Sequence, residues 1–284
     1  MTILNKFKVL AKEKYNNIGI GLGQSDYQNE TIILAIINFL EENPSKVYLF
    51  GTKESLNHIS ELIDSNYESK ITSVESEIPG EEIFEYLLKK KIDSVVRGAI
   101  SSSKFLISLR ESLNPKMINR LALLETVTSH QFFYGPVGID ECNKVREKME
   151  FIENAIRQLN LLDIAPRISI LSGGRIADVG RNKEVDSSLS DAEKIVSEMK
   201  KKYPNLAIQH DEILIENAVK NKSNLIIAPN GISGNLIYRT LVHLGGGKAY
   251  GAIYMNLENI IIDTSRVGEQ SEIQGALLLA LALS

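Results

Sequence analysis

Short apolar runs alternate with longer helix-period segments along nearly the whole chain, and this alternation limits the possible folds more than any other feature. Runs such as LIIA and NIII are continuous and rich in β-branched residues, whereas the segments between them space their apolar residues as amphipathic helices do. Continuous apolar strands are typical of parallel sheets, which helices cover on both faces. The pattern therefore predicts an α/β fold with a largely parallel sheet.

Individual elements can be placed from the same pattern. The predicted strands span 18–22, 47–50, 94–96, 120–124, 132–137, 168–171, 207–209, 225–228, 249–253 and 260–263. The predicted helices span 30–42, 54–65, 80–90, 102–112, 141–161, 191–203, 212–221, 232–244 and 270–283. A chain of 284 residues can bury one large core or two smaller lobes. We expect an N-terminal α/β lobe over residues 1–140 and a C-terminal lobe over 141–284.

Charge and cysteine content exclude several classes of protein. The formal net charge is −4, whereas a duplex nucleic-acid surface needs a clustered basic footprint. Cys142 is the single cysteine, so there is no internal disulfide, and the four histidines show no metal-ligand spacing. The N-terminal segment MTILNKFKVLAKEK is too polar for a secretory signal, and no apolar run reaches the roughly 20 residues of a membrane span. We expect a cytoplasmic protein with no metal, no membrane segment and no nucleic-acid partner.

A first candidate site is the segment APNGISGN, which joins a predicted buried strand to the helix 232–244. Asn230 suits a tight turn, and Gly234 and Asn235 leave backbone N–H groups exposed at the start of the helix. Small residues there would let a phosphate or carboxylate approach closely. Ordinary helix capping explains the same residues, so both interpretations stay open at this point.

A second candidate site follows the run NIIID, where Ser265 and Arg266 emerge at the end of a predicted strand and Glu272 lies in the first turn of the next helix. A hydroxyl can donate a hydrogen bond, a guanidinium can hold phosphate with a bidentate fork, and a carboxylate can accept a proton. Ligands of open α/β sheets bind at the carboxyl ends of the strands. A purely structural role, in which Ser265 caps the turn and Glu272 complements the helix dipole, is equally compatible with the residues.

The stretch SGGRIADVGRNKEVDSS, residues 172–188, is rich in glycine and longer than an ordinary strand-to-helix connection. Long loops at strand ends carry ligands in many α/β proteins, but a surface excursion would look the same. Both possibilities stay open.

The block PxxxxGNxxYRxxxxLGG…GA…DTSR resembles the phosphate acetyl/butyryltransferase family, whose corresponding stretch reads P-x-x-x-x-G-N-x-x-Y-K-x-x-x-R-L-G-G…G-P…N-D-x-S-R-G. Upstream, PRISILSGG and HDEILIENAV match further segments of that family, so the likeness runs from about residue 141 to the C-terminus. In the N-terminal half VRGAISSS resembles the family's V-x-G-A-x-x-x-T.

This resemblance implies a two-lobed α/β fold related to isocitrate and isopropylmalate dehydrogenases, with largely parallel sheets and an active site in the cleft between the lobes. It also implies a homodimer. Members of the family move an acyl group between phosphate and coenzyme A. The resemblance therefore implies a small anionic metabolite and coenzyme A, or a related thiol carrier, as substrates, with no covalently bound cofactor.

Carried over position by position, Ser265 stabilises the reacting oxygens, Arg266 binds phosphate and Glu272 is the general base. Glu272 is one methylene longer than the family's aspartate, and Val267 stands where the family has a glycine after the Ser–Arg pair. The ligand-binding set implied by the resemblance is Asn230, Gly234, Asn235 and His243.

Two phosphate-directed arginines of the family are replaced in this chain. One is His243, which is mostly neutral at pH 7, and the other aligns with Ser108, leaving Arg110 or Arg97 as substitutes. Each charge-assisted hydrogen bond lost in this way is worth about 1.5–3 kcal/mol. The substitutions count against an efficient acyl-phosphate enzyme.

These departures, the short length and the segment PVGIDECNKVRE resemble the methanogen MtxX-type branch of the family, methanogenesis-marker proteins labelled "putative methyltransferase subunit X". The nearest approach to a nucleotide-binding loop, GIGLGQSD, lacks the third glycine. Two functions are therefore expected. The first is transfer of an acyl or related group between phosphate and a thiol carrier. The second is an accessory, non-phosphotransacylase subunit that binds an anionic metabolite or cofactor beside methyltransferase subunits in methanogenesis.

Overall fold

The computed structural model describes residues 1–266 and 268–284 and contains two compact units. In chain order the strands are β1 (Asn17–Gly21), β2 (Lys46–Gly51), β3 (Ile71–Glu75), β4 (Ser94–Val96), β5 (Asn119–Glu125), β6 (Gln131–Gly135), β7 (Arg167–Ile170), β8 (Ala207–His210), β9 (Leu225–Ile227), β10 (Lys248–Met255) and β11 (Ile260–Asp263). The helices are α1 (Ile3–Ala11), α2 (Asp26–Glu42), α3 (Lys53–Ser60), α4 (Pro79–Leu88), α5 (Ser102–Leu113), α6 (Val145–Leu161), α7 (Lys183–Lys202), α8 (Ile215–Lys220), α9 (Gly231–His243) and α10 (Gln270–Leu283).

The two units do not follow the expected division at residue 140. Unit 1 consists of Met1–Met117 together with Ala249–Ser284, and unit 2 of Ile118–Lys248. The C-terminal segment belongs with the N-terminal one because β11 pairs in parallel with β4, and because α10 packs against α1 and α2.

The sheet of unit 1 has the strand order β3-β2-β1-β4-β11-β10. Its neighbouring strands run parallel, except for the antiparallel pair β10–β11. Val96 of β4 lies opposite Ile262 of β11, so the next residues, Arg97 and Asp263, lie side by side at this end of the two strands. This register places the beginning of the segment DTSR against the end of β4.

The last helix, α10, is almost entirely apolar and buried, as its sequence predicts. It approaches β10 so closely that a Cβ at Gly275 would lie 2.6 Å from Cβ of Tyr250. Glycine is therefore required where this helix crosses the strand. None of the helices in the described part of the chain is long and apolar enough to cross a membrane.

The sheet of unit 2 has the order β5-β6-β9-β7-β8, antiparallel between β5 and β6 and parallel elsewhere. Phe132, Phe133 and Tyr134 are consecutive in β6 and all buried, which means that both faces of this strand are covered. The predicted irregular stretch 172–188 is shorter than expected. Helix α7 already begins at Lys183, because the side-chain oxygen of Asn182 accepts hydrogen bonds from the first turn.

Candidate functional site

The loop after β11 brings Ser265 and Glu272 together in unit 1. The backbone N–H of Ser265 donates to Oε1 of Glu272 over 2.7 Å, and Glu272 is only 4% exposed. The N–H of Gly268 donates to the carbonyl of Ser265, which tightens the turn between them. A Cβ at position 268 would lie 2.5 Å from Oε2 of Glu272, so glycine is the residue that leaves room for this carboxylate.

Arg266 lies in the same loop and is exposed, directly after Ser265. Its guanidinium can therefore meet a ligand from solvent, while the carboxylate of Glu272 is held inside the loop. Val267, the residue that replaces the family's glycine, lies outside the described residues. The three side chains predicted to be catalytic thus belong to one short loop and the first turn of α10, and their catalytic roles stay a prediction.

A buried ion pair between Arg97 and Asp263 lies at the beginning of this loop. Arg97 and Asp263 are 4% and 8% exposed, and Nε of Arg97 donates to Oδ1 of Asp263. A second nitrogen of Arg97 donates to the carbonyl of Ile100 over 2.7 Å, and Thr264 donates through Oγ1 to the carbonyl of Gly98. Burial opposes the charge of Arg97, but the carboxylate of Asp263, with smaller contributions from Tyr254 and Glu272, raises the pKa of Arg97 above its ordinary value.

This pairing involves one of the two arginines considered as substitutes for the family's phosphate ligand. Arg97 is paired with Asp263 and is almost inaccessible, so its guanidinium is not open to a ligand from solvent. Arg110 is exposed on α5. The sequence analysis named both Arg97 and Arg110. It could not predict the ion pair of Arg97 with Asp263, because these residues are 166 positions apart and no local pattern connects them.

In unit 2 the start of α9 is capped by its own residues. Oδ1 of Asn230 accepts from the N–H of Ser233 over 2.9 Å, and Oγ of Ser233 accepts from the N–H of Asn230. The N–H of Gly231 donates to the carbonyl of Glu141, and that of Gly234 donates to the carbonyl of Asn230. Protein acceptors therefore already pair most of the amides that the sequence made available to an anion.

Packing explains the small residues of APNGISGN. A Cβ at Gly234 would overlap the carbonyl oxygen of Pro136, and one at Gly231 would overlap that of Gly138. The side-chain amide of Asn235 donates to the carbonyl of Val137 over 2.9 Å. These contacts fasten the segment 136–141 to α9. Ligand binding by Gly234 and Asn235 stays a prediction, beside this structural role that the geometry shows.

His243 lies far from the other predicted ligands of unit 2. It is the last residue of α9, whereas Asn230 caps the first turn, so a helix rise of about 20 Å separates them. His243 is exposed and meets the ring of Tyr238 edge-on, with the ring centroids 6.2 Å apart. The structure therefore does not bring His243 to Asn230.

An open pocket of about 460 Å³ in unit 2 was not predicted from the sequence. Asn230 lies on its wall, together with Lys148 of α6 and Ser187 and Ser188 of α7. Two sequence signals lie at this pocket. One is the segment APNGISGN, whose Pro229 and Asn230 line it, and the other is the glycine-rich stretch 172–188, whose last residues reach it.

The thiol of Cys142 and the possible metal ligands can also be assessed. Cys142 is buried, and burial together with the neighbouring carboxylates of Glu141 and Glu147 raises the pKa of its thiol. Among the described residues no group of three or more His, Cys, Asp or Glu side chains is arranged to hold a metal ion.

Comparison with known proteins gives relatives in sequence and in fold. None of the protein-family models searched matches the chain. The "Putative methyltransferase mtx subunit X" of Methanosarcina barkeri is 37% identical over 275 residues, which cover 96% of each chain. A phosphotransacetylase from Streptococcus pyogenes has the same fold, with a TM-score of 0.69 and 19% identity over 99% of this chain and 98% of that one. A β-decarboxylating dehydrogenase from Thermococcus kodakarensis has a TM-score of 0.52 and 12% identity over 93% of this chain and 81% of that one. The predicted α/β fold, of the type shared by phosphotransacylases and these dehydrogenases, is confirmed.

Proposed function

Because this chain belongs to the MtxX family, whose curated members are named "Putative methyltransferase mtx subunit X", and shares its fold with phosphotransacylases, we propose that it transfers an acyl or related group between phosphate and a thiol carrier. The observation that carries the proposal is the loop after β11, in which Glu272 holds the N–H of Ser265 at 2.7 Å and Arg266 is exposed next to it.

In this reaction the carboxylate of Glu272 takes the proton of the carrier's thiol, such as that of coenzyme A. The thiolate attacks the carbonyl carbon of the acyl phosphate, a carbon–sulfur bond forms, and the carbon–oxygen bond to phosphate breaks. The guanidinium of Arg266 binds the phosphate oxygens through two hydrogen bonds, and the hydroxyl of Ser265 donates a hydrogen bond to the oxygen on which negative charge develops.

The test is transfer from acetyl phosphate and butyryl phosphate to coenzyme A, followed by thioester absorbance. We expect Arg266→Ala to lower kcat/KM at least a hundredfold, since it removes a bidentate, charge-assisted contact to the dianion. Glu272→Gln is expected to lower kcat with little change in KM, because it removes the proton acceptor and retains the hydrogen-bond acceptor for Ser265. Arg146→Ala, which removes a guanidinium from a side chain that is 89% exposed, is the matched control. Full activity in Arg266→Ala or Glu272→Gln would overturn the assignment.

The name of the relatives favours a second candidate, a subunit that works beside methyltransferase proteins in methanogenesis. The residue at position 243 agrees with it, because His243 stands where the phosphate acetyl/butyryltransferases have an arginine. Affinity purification of the tagged chain from a methanogen extract would recover a methyltransferase in stoichiometric amount. Recovery of the chain alone, together with robust acyl transfer in vitro, would exclude this candidate.

The proposal includes a homodimer, which the resemblance to phosphate acetyl/butyryltransferases suggests. Light scattering coupled to size-exclusion chromatography would give twice the chain mass of 31.6 kDa. A mass equal to that of one chain at micromolar concentration would refute it.

A further inference from the structure

The pocket of about 460 Å³ in unit 2 forms where three helices begin. Lys148 is the fourth residue of α6, Lys183 is the first residue of α7, and Asn230 caps α9. Helix N-termini carry partial positive charge and favour anions. The pocket therefore places two lysines in the first turns of α6 and α7, beside the capped first turn of α9.

Lys148 is the main observation. The residue is 6% exposed, and its ammonium contacts, within the described part of the chain, the carboxylate of Asp191 at 3.5 Å. An ammonium has three donors, and a good hydrogen bond to oxygen is about 2.7–3.2 Å long. Since a buried charge is costly unless it is closely paired, this lysine is poorly compensated by the protein alone. An anion in the pocket would supply the missing acceptors.

Lys183 is a second indication that the pocket binds an anion. A lysine in the first turn of a helix opposes the helix dipole, and here it also shares a pocket with the positive charge of Lys148. Such a conflict between local preference and structure is typical of a functional position.

Neutral donors complete the pocket wall. Asn230 uses Oδ1 to cap α9, and no acceptor for its Nδ2 is found among the described residues. Oγ of Ser188 accepts a hydrogen bond from the N–H of Gly173 over 2.9 Å, so the hydroxyl of Ser188 can donate a hydrogen bond to a ligand. Ser187 lines the pocket from the exposed side of α7.

The pocket also contains carboxylates, which restricts the ligand class. Glu184 and Asp191 lie on the wall, so the two lysines are matched by two acidic groups. A bare dianion would meet repulsion from them, whereas hydroxyl groups on the same ligand would donate to them. The volume falls in the range of about 300–1,000 Å³ usual for small-molecule sites.

We infer that this pocket binds a small phosphorylated metabolite that carries hydroxyl groups, with its phosphate on Lys148 and Lys183 and its hydroxyls on Glu184 and Asp191. The site lies within unit 2 and requires no turnover. The test of this inference is therefore independent of the acyl transfer proposed for the loop after β11.

The test is isothermal titration calorimetry of the full chain at low salt with glycerol 3-phosphate, inorganic phosphate and glycerol as probes. We expect glycerol 3-phosphate to bind more tightly than inorganic phosphate, and glycerol not to bind measurably. Lys148→Met, which retains most of the side-chain volume, is expected to weaken glycerol 3-phosphate binding at least tenfold. Lys194→Met, an exposed position on α7 outside the pocket, is the matched control and should bind as the wild type does.

If Lys148→Met fails to fold, Lys183→Met tests the inference instead, because Lys183 is exposed and its replacement should leave the core intact. It is expected to weaken binding at least threefold. Absence of binding by both phosphate probes, equal affinity for inorganic phosphate and glycerol 3-phosphate, or unchanged affinity in the lysine variants would overturn the inference.

Discussion

Gly234 is the position at which a ligand role and a structural role make different predictions. If its lack of a side chain serves the approach of a phosphate, Gly234→Ala should retain stability and lose binding. If its role is packing, the variant should lose stability, because the new Cβ would overlap the carbonyl oxygen of Pro136 and lie 3.1 Å from its carbon.

The contacts at this position give the magnitude. Non-bonded carbon atoms prefer about 3.5–4.0 Å, so the segment 136–141 or the start of α9 must withdraw by about 1 Å. That movement would break the hydrogen bonds from Asn235 to Val137 and from Gly231 to Glu141, each worth about 1 kcal/mol. Overpacking adds about 1–3 kcal/mol, and the better helix propensity of alanine returns about 1 kcal/mol. The net expected loss is about 2–4 kcal/mol.

Thermal unfolding monitored by circular dichroism measures this loss. A destabilisation of about 2–4 kcal/mol corresponds to a fall in Tm of about 4–16 °C for a chain of this size class. Gly173→Ala is the matched control, because its Cβ would meet the side chain of Ser188 at an ordinary 3.4 Å. An unchanged Tm for Gly234→Ala, equal to that of the control, would refute the packing argument and return Gly234 to the ligand-binding set.

Further predictions concern the buried charges, the histidines and the cysteine. Arg97→Met leaves the carboxylate of Asp263 buried without the charge of Arg97, and it should lower the free energy of unfolding in urea by about 3–5 kcal/mol. Adding Asp263→Asn should recover part of that loss. Equal losses in the single and double variants would contradict the ion-pair argument. Burial lowers the pKa of His130 and of His210 below the ordinary 6.5, so the unfolded chain binds protons more readily, and stability present above pH 6.5 is lost as the pH falls through 6.5 toward the lower native values. Replacing both histidines by glutamine should therefore reduce the dependence of the urea midpoint on pH between 7.5 and 5.5, and an unchanged dependence would count against this cause. Burial raises the pKa of the Cys142 thiol, so a thiol reagent should label the native chain far more slowly than the urea-unfolded chain, and equal rates would show that the thiol is accessible.

Local pattern was sufficient for most helices and strands. The bounds predicted for β4, β11 and α10 agree with the structure, because each is a continuous apolar run with clear ends. Two elements were missed. The strand β3 buries only Ile71 and Val74 at the edge of its sheet, and α1 buries a narrow stripe within a polar segment. Weak apolar patterns of this kind form stable elements only through the neighbours on which they pack.

The domain boundary could not be predicted from pattern alone. A division at residue 140 follows chain order, but the pairing of β11 with β4 returns the last segment to unit 1. Composition along the chain does not change at residue 117 or 249, so no local signal marks the crossing points. Strand pairing between distant segments decides such boundaries.

By itself, the sequence determined the α/β class, the family and the residue types of the loop that carries Ser265, Arg266 and Glu272, because each of these depends on nearest neighbours along the chain. Only the tertiary structure decided that Arg97 would neutralise Asp263, that Gly234 would pack against Pro136, and that Lys148 would line a pocket with Asn230. Strand register and helix packing bring these side chains together across tens to more than a hundred residues. The role of a buried charge or of a glycine therefore depends on the atoms that lie beside it in the fold.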